Sequence, residues 1–334
     1  MSTAECPGVG LVGCGLVGRK RSRALGEAKL VACVDSVPER AHALAEPFGA
    51  AVEEDWRRLV ERRDVQIVIV ATTNDHLAEI TVGAVSAGKH VLVEKPAARN
   101  LEELDAVIAV ARQSSALVRV GFNHRYHPAV SKAREMAASG ALGDLMLVRG
   151  RYGHGGRLGY EKEWRANPRI SGGGELIDQG VHLIDLARCL LGEFTSIDGF
   201  CGTFFWKMPV EDNAFLLLRT STGRTAFLHA SCTEWKNLFS LEIYGRQGKL
   251  HVEGLGGSYG PERLTYYRML PQMGPPDTVV WEYPGADESW RVEFQEFLED
   301  IRLGRAPAAG LQDARAALTV VETIYRRCGY DYHA

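Results

Sequence analysis

Val9-Gly10-Leu11-Val12-Gly13-Cys14-Gly15-Leu16-Val17-Gly18 decides the fold of this chain. A short apolar run, Val9–Val12, leads straight into a G-x-G-x-x-G pattern, and helix-like sequence follows. Glycine suits this turn because the backbone must bend tightly and approach a pyrophosphate closely, while the start of the next helix offers unpaired N–H groups. One such match is weak evidence, since glycine is common in turns. Its context strengthens it: an acidic residue, Asp35, closes the next apolar run, Leu30–Val34. The distance from Gly13 to Asp35 is close to the roughly 20 residues expected of a dinucleotide-binding unit. Gly13, Gly15, Leu16, Val17 and Gly18 therefore form a candidate phosphate cradle, with Asp35 placed to accept from the adenosine ribose hydroxyls. A carboxylate there repels a 2′-phosphate, and no Arg or Lys stands in Ser36-Val37-Pro38, so NAD is favoured over NADP. Arg40 remains within reach of the adenine side. Arg19, Lys20, Arg21 and Arg23 make a basic cluster on the helix; one of them suits the pyrophosphate, and the others read as a solvated face.

Working outward, further apolar runs occur at Gln66–Ala71, His90–Val93 and Leu117–Phe122. They are continuous rather than alternating, as strands buried on both faces are. Helical stretches separate them: Pro38–Phe48; Asp75–Ala87, ended by Gly88; and Leu101–Ser114, opened by Asn100 with Glu103 three residues on. Strands alternating with helices predict a doubly wound parallel sheet, a Rossmann arrangement. Beyond Phe122 the pattern changes. Val130–Ser139 reads as a helix, Leu145–Arg149 as a strand, Gly153–Gly174 as a glycine-rich loop, and Ile177–Leu191 as a helix closed by Gly192. Phe194–Tyr283 is mostly strand-like, with turn signals at Thr222-Gly223, Arg246-Gln247-Gly248 and Gly256-Gly257, which predicts an antiparallel sheet. Two helices, Ser289–Leu303 and Gln312–Arg326, close the chain. The expected organisation is α/β in two domains, 1–122 and 123–334, with the seam near residues 120–128.

The bulk properties agree. A chain of 334 residues suits two cores. A net charge of −3 argues against nucleic-acid partners. Seven cysteines without C-x-x-C spacing give neither a disulfide framework nor a metal site, so the expectation is no metal and a reducing cytoplasm. The start, Met1–Pro7, lacks a signal pattern, and no apolar run approaches the roughly 20 residues of a membrane span.

Two motifs carry chemistry. Glu94-Lys95-Pro96 ends a buried strand, where open α/β sheets bind ligands, and the lysine can project into such a cleft. The second motif is Gly172-Gly173-Gly174-Glu175-Leu176-Ile177-Asp178-Gln179-Gly180-Val181-His182. Asp178 and His182 are four apart and share a helix face. Gly180 inside the helix points to a close approach of its backbone. The glycine run frees N–H groups and makes room for a ligand.

The fingerprint Gly13–Gly18, Glu94-Lys95-Pro96 and the Gly-Gly-Gly…Asp178-x-Gly180-x-His182 pattern, together with Gly121-Phe122-Asn123-His124-Arg125-Tyr126-His127-Pro128 and Phe294-Gln295-Glu296-Phe297, resemble the glucose-fructose oxidoreductase, inositol dehydrogenase and rhizopine catabolism (Gfo/Idh/MocA) family over nearly the whole chain. The resemblance implies a Rossmann domain followed by an α/β domain with a large open, mostly antiparallel sheet that serves oligomerisation, giving a homodimer or homotetramer. It implies hydride transfer between NAD(P) and a secondary hydroxyl of a sugar, nucleotide-linked sugar or cyclitol. It adds Thr72, Asn74, Glu94 and Lys95 to the cofactor contacts. Here the sequence departs from the family's T-P-N-x-x-H run: Thr73 replaces the proline and Leu77 the histidine, so His76 is not carried over. His182 is expected as general base, with Asp178 orienting it and Lys95 bonding the substrate oxygen; Lys95 and His182 are both competent to exchange roles. Asn123, Arg125, Arg157, Tyr160, Trp164 and Arg165 are expected to contact substrate along with Lys95, Asp178 and His182, the arginines suiting an anionic or nucleotide-linked group. The competing readings are an NAD(P)H-dependent keto-sugar reductase, an enzyme that uses tightly held NAD for transient oxidation, and a non-catalytic NAD(H)-sensing regulator.

Overall fold

The continuous apolar runs form the centre of a parallel sheet. The computed structural model describes residues 6–330; the first five residues of the polar start read above, and residues 331–334, lie outside the described residues. The first sheet comprises β1 (Gly8–Val12), β2 (Lys29–Val34), β3 (Ala51–Val52), β4 (Ile67–Val70), β5 (His90–Glu94) and β6 (Val118–Gly121). All neighbours are parallel, in the order β3-β2-β1-β4-β5-β6. Every residue of β1, β4 and β6 is buried, which is why these strands read as unbroken apolar runs. The order reverses between β1 and β4, so the carboxyl ends of these two strands flank the switch point where doubly wound sheets bind ligands.

Helices α1 (Leu16–Ser22), α2 (Pro38–Ala45), α3 (Trp56–Glu61), α4 (Asn74–Ser86) and α5 (Leu101–Ala111) connect these strands. Gly88 (φ +76°) follows the C-cap of α4. The Asn100 side chain accepts from the Glu103 N–H at 2.8 Å and opens α5. The expected helix 38–48 is α2 followed by a tight 3-10 turn, Glu46–Phe48, because Pro47 lacks the N–H that would continue the helix. The short β3 and α3 carried no periodic signal and were not foreseen.

The second sheet contains β7 (Leu145–Gly153), β8 (Phe194–Gly202), β9 (Asn213–Thr220), β10 (Thr225–Ser231), β11 (Leu238–Gly245), β12 (Gly248–Glu253), β13 (Glu262–Arg268) and β14 (Asp277–Tyr283). Their order is β14-β13-β12-β11-β7-β10-β9-β8, antiparallel except for the β7–β10 pair. Along β7 the even members from Val148 to Tyr152 are buried while Arg149 and Arg151 are exposed, the alternation of a sheet with one face inward. The remaining helices are α6 (Pro128–Ala138), α7 (Pro168–Ser171), α8 (Val181–Leu191), α9 (Ser289–Leu303) and α10 (Leu311–Cys328).

The chain divides into two compact units, Met1–Phe122 with Trp290–Ala316, and Asn123–Ser289 with Ala317–Ala334. The expected division placed all of 123–334 in the second half, whereas residues 290–316 pack with the first sheet. Phe294 and Phe297 join Leu11, Ile69 and Leu92 in one buried cluster. Arg119 of β6, fully buried, pairs with Asp300 and with Glu296 at 3.1 Å, and the Val120 N–H donates to the Ala309 carbonyl at 2.8 Å. Among the described residues no helix is long and apolar enough to cross a membrane.

Candidate active site

In the first unit the three fingerprint glycines play three different parts. Gly13 turns the chain with φ +94°, and a Cβ there would stand 2.5 Å from the Ala71 carbonyl oxygen. A Cβ on Gly18 would run into the Gly13 carbonyl, so this glycine lets α1 seat against the turn. At Gly15 nothing lies within 4 Å of the Cβ position. The cradle is thus packed tight at both ends and open at its centre, where a pyrophosphate approaches in such folds. Leu16, 67% exposed, and Val17 continue the open rim. Asp35 follows β2; its Oδ2 accepts from the Cys14 N–H at 2.6 Å and its Oδ1 from the Val37 N–H at 2.9 Å. Each carboxylate oxygen accepts two hydrogen bonds, so both retain capacity for ribose hydroxyls. The residues present therefore fit a dinucleotide whose ribose lacks a 2′-phosphate.

Thr73 caps α4 and its hydroxyl donates to Asp75 Oδ1 at 2.6 Å, while Thr72 is half-buried and Asn74 buried beside it. Leu77, at the position where the resemblance would place histidine, is wholly buried in the core, and His76 is exposed. The strand-end motif is held from below. Glu94 is buried and accepts from Arg21 Nε at 2.6 Å; Arg21 Nη1 donates to Glu293 at 2.5 Å. Arg21 is 1% exposed, so this member of the basic cluster is a core cation and not part of a solvated face, whereas Arg19, Lys20 and Arg23 are exposed. Two carboxylates hold one guanidinium, and burial pushes the Glu293 carboxyl up from its ordinary range. Lys95, half-buried, follows directly and is joined to Pro96 by a cis peptide. The Glu94 side chain is thus engaged inside the fold, and its position fixes the start of the Lys95 turn.

In the second unit the glycine run makes room mainly for protein. A Cβ on Gly173 would strike the Tyr325 ring, and one on Gly174 the Glu211 carbonyl. Glu211, fully buried, accepts from the Gly174 N–H at 3.0 Å, the Leu176 N–H at 2.9 Å and the Tyr325 hydroxyl at 2.8 Å. The N–H groups that sequence reasoning left for a ligand are therefore taken by a carboxylate. The segment Leu176–Gly180 then forms a single π-helical turn before α8, a local irregularity frequent at functional sites. Gly180 accommodates Leu176, 2.9 Å from its Cβ position, and Ala230 of β10 at 3.6 Å. The close approach inferred from this glycine is real, but the approaching group is the Leu176 side chain of the same turn, with the sheet at ordinary contact distance.

Asp178 on the π-turn is half-buried and accepts from Arg165 Nε at 3.0 Å. His182 on α8 is 4% exposed and lies face to face with His124, ring centroids 3.7 Å apart and planes 20° apart. Tyr152 sits edge-on to both rings, its hydroxyl pushed well up by burial. His124 belongs to the 3-10 turn Asn123–Tyr126, in which Asn123 Nδ2 donates to Ser289 Oγ at 2.9 Å. Arg125, 3% exposed, is paired with Asp185 of α8 (Nε to Oδ2, 2.7 Å). Its guanidinium ties the turn to the helix that carries His182. Sequence reasoning assigned no role to His124; its only signal was its place between Asn123 and Arg125 in the motif that carries the resemblance.

The glycine-rich loop sorts the remaining candidates. Arg157 is exposed and paired with Glu163 at 2.7 Å. Trp164 is half-buried, with the Arg165 guanidinium over its ring at 4.5 Å. Tyr160 is 3% exposed and its hydroxyl donates to Glu175 at 2.8 Å, so its ring is unavailable for stacking on a sugar face.

A fingerprint-bearing doubly wound unit, in one chain with a unit that has a large, mostly antiparallel sheet and an Asp–His segment, defines a dinucleotide-dependent oxidoreductase. Residues 8–122 match the model of the oxidoreductase family with an NAD-binding Rossmann fold, and residues 130–251 match the GFO/IDH/MocA C-terminal domain. The chain belongs to the Gfo/Idh/MocA oxidoreductase family, and its cofactor is NAD. Levoglucosan dehydrogenase from Pseudarthrobacter phenanthrenivorans is 29% identical over 72% of this chain and 72% of its own. The scyllo-inositol 2-dehydrogenase (NAD(+)) of Bacillus subtilis is 26% identical over 88% of this chain and 84% of its own. A solved structure of levoglucosan dehydrogenase in complex with NADH and levoglucosan superposes with a TM-score of 0.86 at 25% identity, covering 96% of each chain.

Proposed function

We propose that this oxidoreductase removes hydride from a secondary hydroxyl carbon of a neutral sugar or cyclitol, with NAD as acceptor. The observation that carries the substrate class is the pairing of the expected substrate arginines. Arg125 is matched by Asp185, Arg157 by Glu163 and Arg165 by Asp178. An anionic or nucleotide-linked substrate needs uncommitted positive charge, whereas a polyol needs donors and acceptors of both kinds. Levoglucosan and scyllo-inositol, in the names of two relatives, are neutral polyols.

NAD, when bound, supplies the hydride acceptor. Gly13, Gly15, Leu16, Val17 and Gly18 would cradle its pyrophosphate, Asp35 its ribose, and Thr72, Asn74, Glu94 and Lys95 the rest. His182 takes the hydroxyl proton on a ring nitrogen, the role for which a neutral imidazole is suited near pH 7. Asp178 balances the charge that arises there. Lys95 donates to the substrate oxygen as negative charge develops. Asn123, Trp164 and Arg165 complete the substrate set; Arg125 and Tyr160 support it from the interior. In this reading the first unit serves the cofactor, and the second serves the substrate and self-association. Phe200, Leu217 and Phe227, each about half exposed on the second sheet, suit a homodimer or homotetramer. The free cysteines suit a reducing cytoplasm.

The test is a panel of neutral cyclitols and sugars beside sugar acids, sugar phosphates and nucleotide sugars, each followed by NADH formation. Neutral polyols are expected to be oxidised fastest. Turnover confined to anionic sugars overturns the substrate class. NADH-driven reduction of a keto-sugar without oxidation of any polyol reverses the direction.

A further inference from the structure

Glu175 lies between the glycine run and the π-turn that carries Asp178, and it is 1% exposed. Its Oε1 accepts from the Tyr160 hydroxyl at 2.8 Å. Its Oε2 is buried and makes no hydrogen bond among the described residues. No Lys or Arg forms an ion pair with it; the nearest basic group is His154, with Nε2 at 3.6 Å from Oε1. Burial pushes His154 down, so that ring carries no charge near pH 7. The other titratable neighbours are Asp178, Glu211, Cys232, Arg165, Tyr152 and Tyr259, the last two pushed up by burial. Arg165 is committed to Asp178. The Tyr160 hydroxyl and Cys232 thiol are both pushed up by burial and keep their protons.

An ionised carboxylate in a dry site loses its hydration and needs donors on both oxygens to compensate. Glu175 has one oxygen donor, the Tyr160 hydroxyl, and beside it only the Cys232 thiol, a weak donor. We infer that Glu175 is a positioning residue, a neutral carboxylic acid that anchors the glycine-rich loop through Tyr160 and adds no second negative charge beside Asp178. Burial first, and the Asp178 charge second, push its carboxyl up to about 8. Through Tyr160 it fixes the loop that delivers Arg165 to Asp178. Above about pH 8 its ionisation sets two carboxylates against each other, three residues apart on one turn. The inference stands on the geometry of this unit; only its kinetic consequence rests on the proposed role of Asp178.

Infrared spectroscopy of the intact protein between pH 5 and 9 tests this without substrate. The wild type is expected to show a protonated-carboxyl carbonyl band that fades with a midpoint near 8, and Glu175→Gln is expected to lack it. Tyr160→Phe, which removes the donor to Oε1, should shift the same band, so the assignment holds even if Glu175→Gln folds poorly. The sign in thermal melts follows from linkage. The unfolded carboxyl ionises near 4.5 while the folded one keeps its proton, so the wild type loses stability relative to Glu175→Gln from about pH 4.5 to 8 and then levels off. A band unchanged in both variants, or parallel melting curves for wild type and Glu175→Gln, overturns the inference. Either result leaves the proposed polyol oxidation untouched.

Discussion

Replacing Arg21 by methionine is a severe test of how the Glu94-Lys95-Pro96 turn is held. The arginine side chain is fully buried, as is that of Glu293, and that of Glu94 nearly so. Methionine fills much of the space but leaves two carboxylates facing each other in a dry site. Removing one partner of a buried ion pair costs about 3–5 kcal/mol, because the remaining charge is uncompensated. For a unit of this size each kcal/mol moves the midpoint by roughly 2–4 °C, so the melting temperature should fall by about 6–20 °C. The deficit should depend on pH. Burial already raises the Glu293 carboxyl, and without Arg21 the attraction opposing that shift disappears. A raised carboxyl binds its proton in the folded state first, so Arg21→Met should recover stability as pH falls and lose it as pH rises. Adding Glu94→Gln and Glu293→Gln should restore most of the loss at neutral pH. Calorimetry across pH 5–8 on the single and triple variants reads all three effects. A single variant within about 1 kcal/mol of wild type, or a deficit that does not vary with pH, would refute the reasoning.

Three further outcomes are expected. Asp35→Ser removes the proposed ribose acceptor and a charge that would repel a 2′-phosphate; NAD should bind at least about tenfold more weakly, a change of about 1.4 kcal/mol, with no matching loss for NADP, as read by titration of cofactor fluorescence. Glu211→Ala strands the buried N–H groups of Gly174 and Leu176 and the Tyr325 hydroxyl, and should cost about 3 kcal/mol or more in denaturant unfolding, since each unsatisfied buried donor costs about 1–3 kcal/mol. His124→Ala removes the ring stacked on His182 and should slow hydride transfer about tenfold or more, whereas His124→Phe keeps a flat ring there and should retain more of the rate; equal rates in the two variants would show that the stack does not position His182.

The first sheet was legible because its signals are local. Gly13–Gly18 and Asp35 each act through backbone geometry or chain position, and buried parallel strands announce themselves as apolar runs. The second sheet was legible as antiparallel strands, but not its order: the parallel β7–β10 pair joins segments far apart in sequence, and no periodicity encodes such a pairing. Arg21 looked like one basic residue among four, since nothing in the sequence connects it to Glu94 and Glu293, which reach it from distant segments. The glycine run before Asp178 was read as room for a ligand with free N–H groups, whereas the room is filled by protein. Its partners, Glu211 and Tyr325, come from a strand entry and the last helix, so ligand and protein could not be told apart from sequence. The same limit hid His124 and Glu175, whose importance lies in what they touch.

The most direct measurement is single-turnover NADH formation from a neutral cyclitol such as myo-inositol, or from levoglucosan, by wild type, His182→Ala and Lys95→Ala. The account predicts oxidation by the wild type, with loss of about 10²–10⁴-fold when the proton acceptor is removed and a large loss for Lys95→Ala as well. Near wild-type hydride transfer in both variants with a substrate that the wild type oxidises would contradict it.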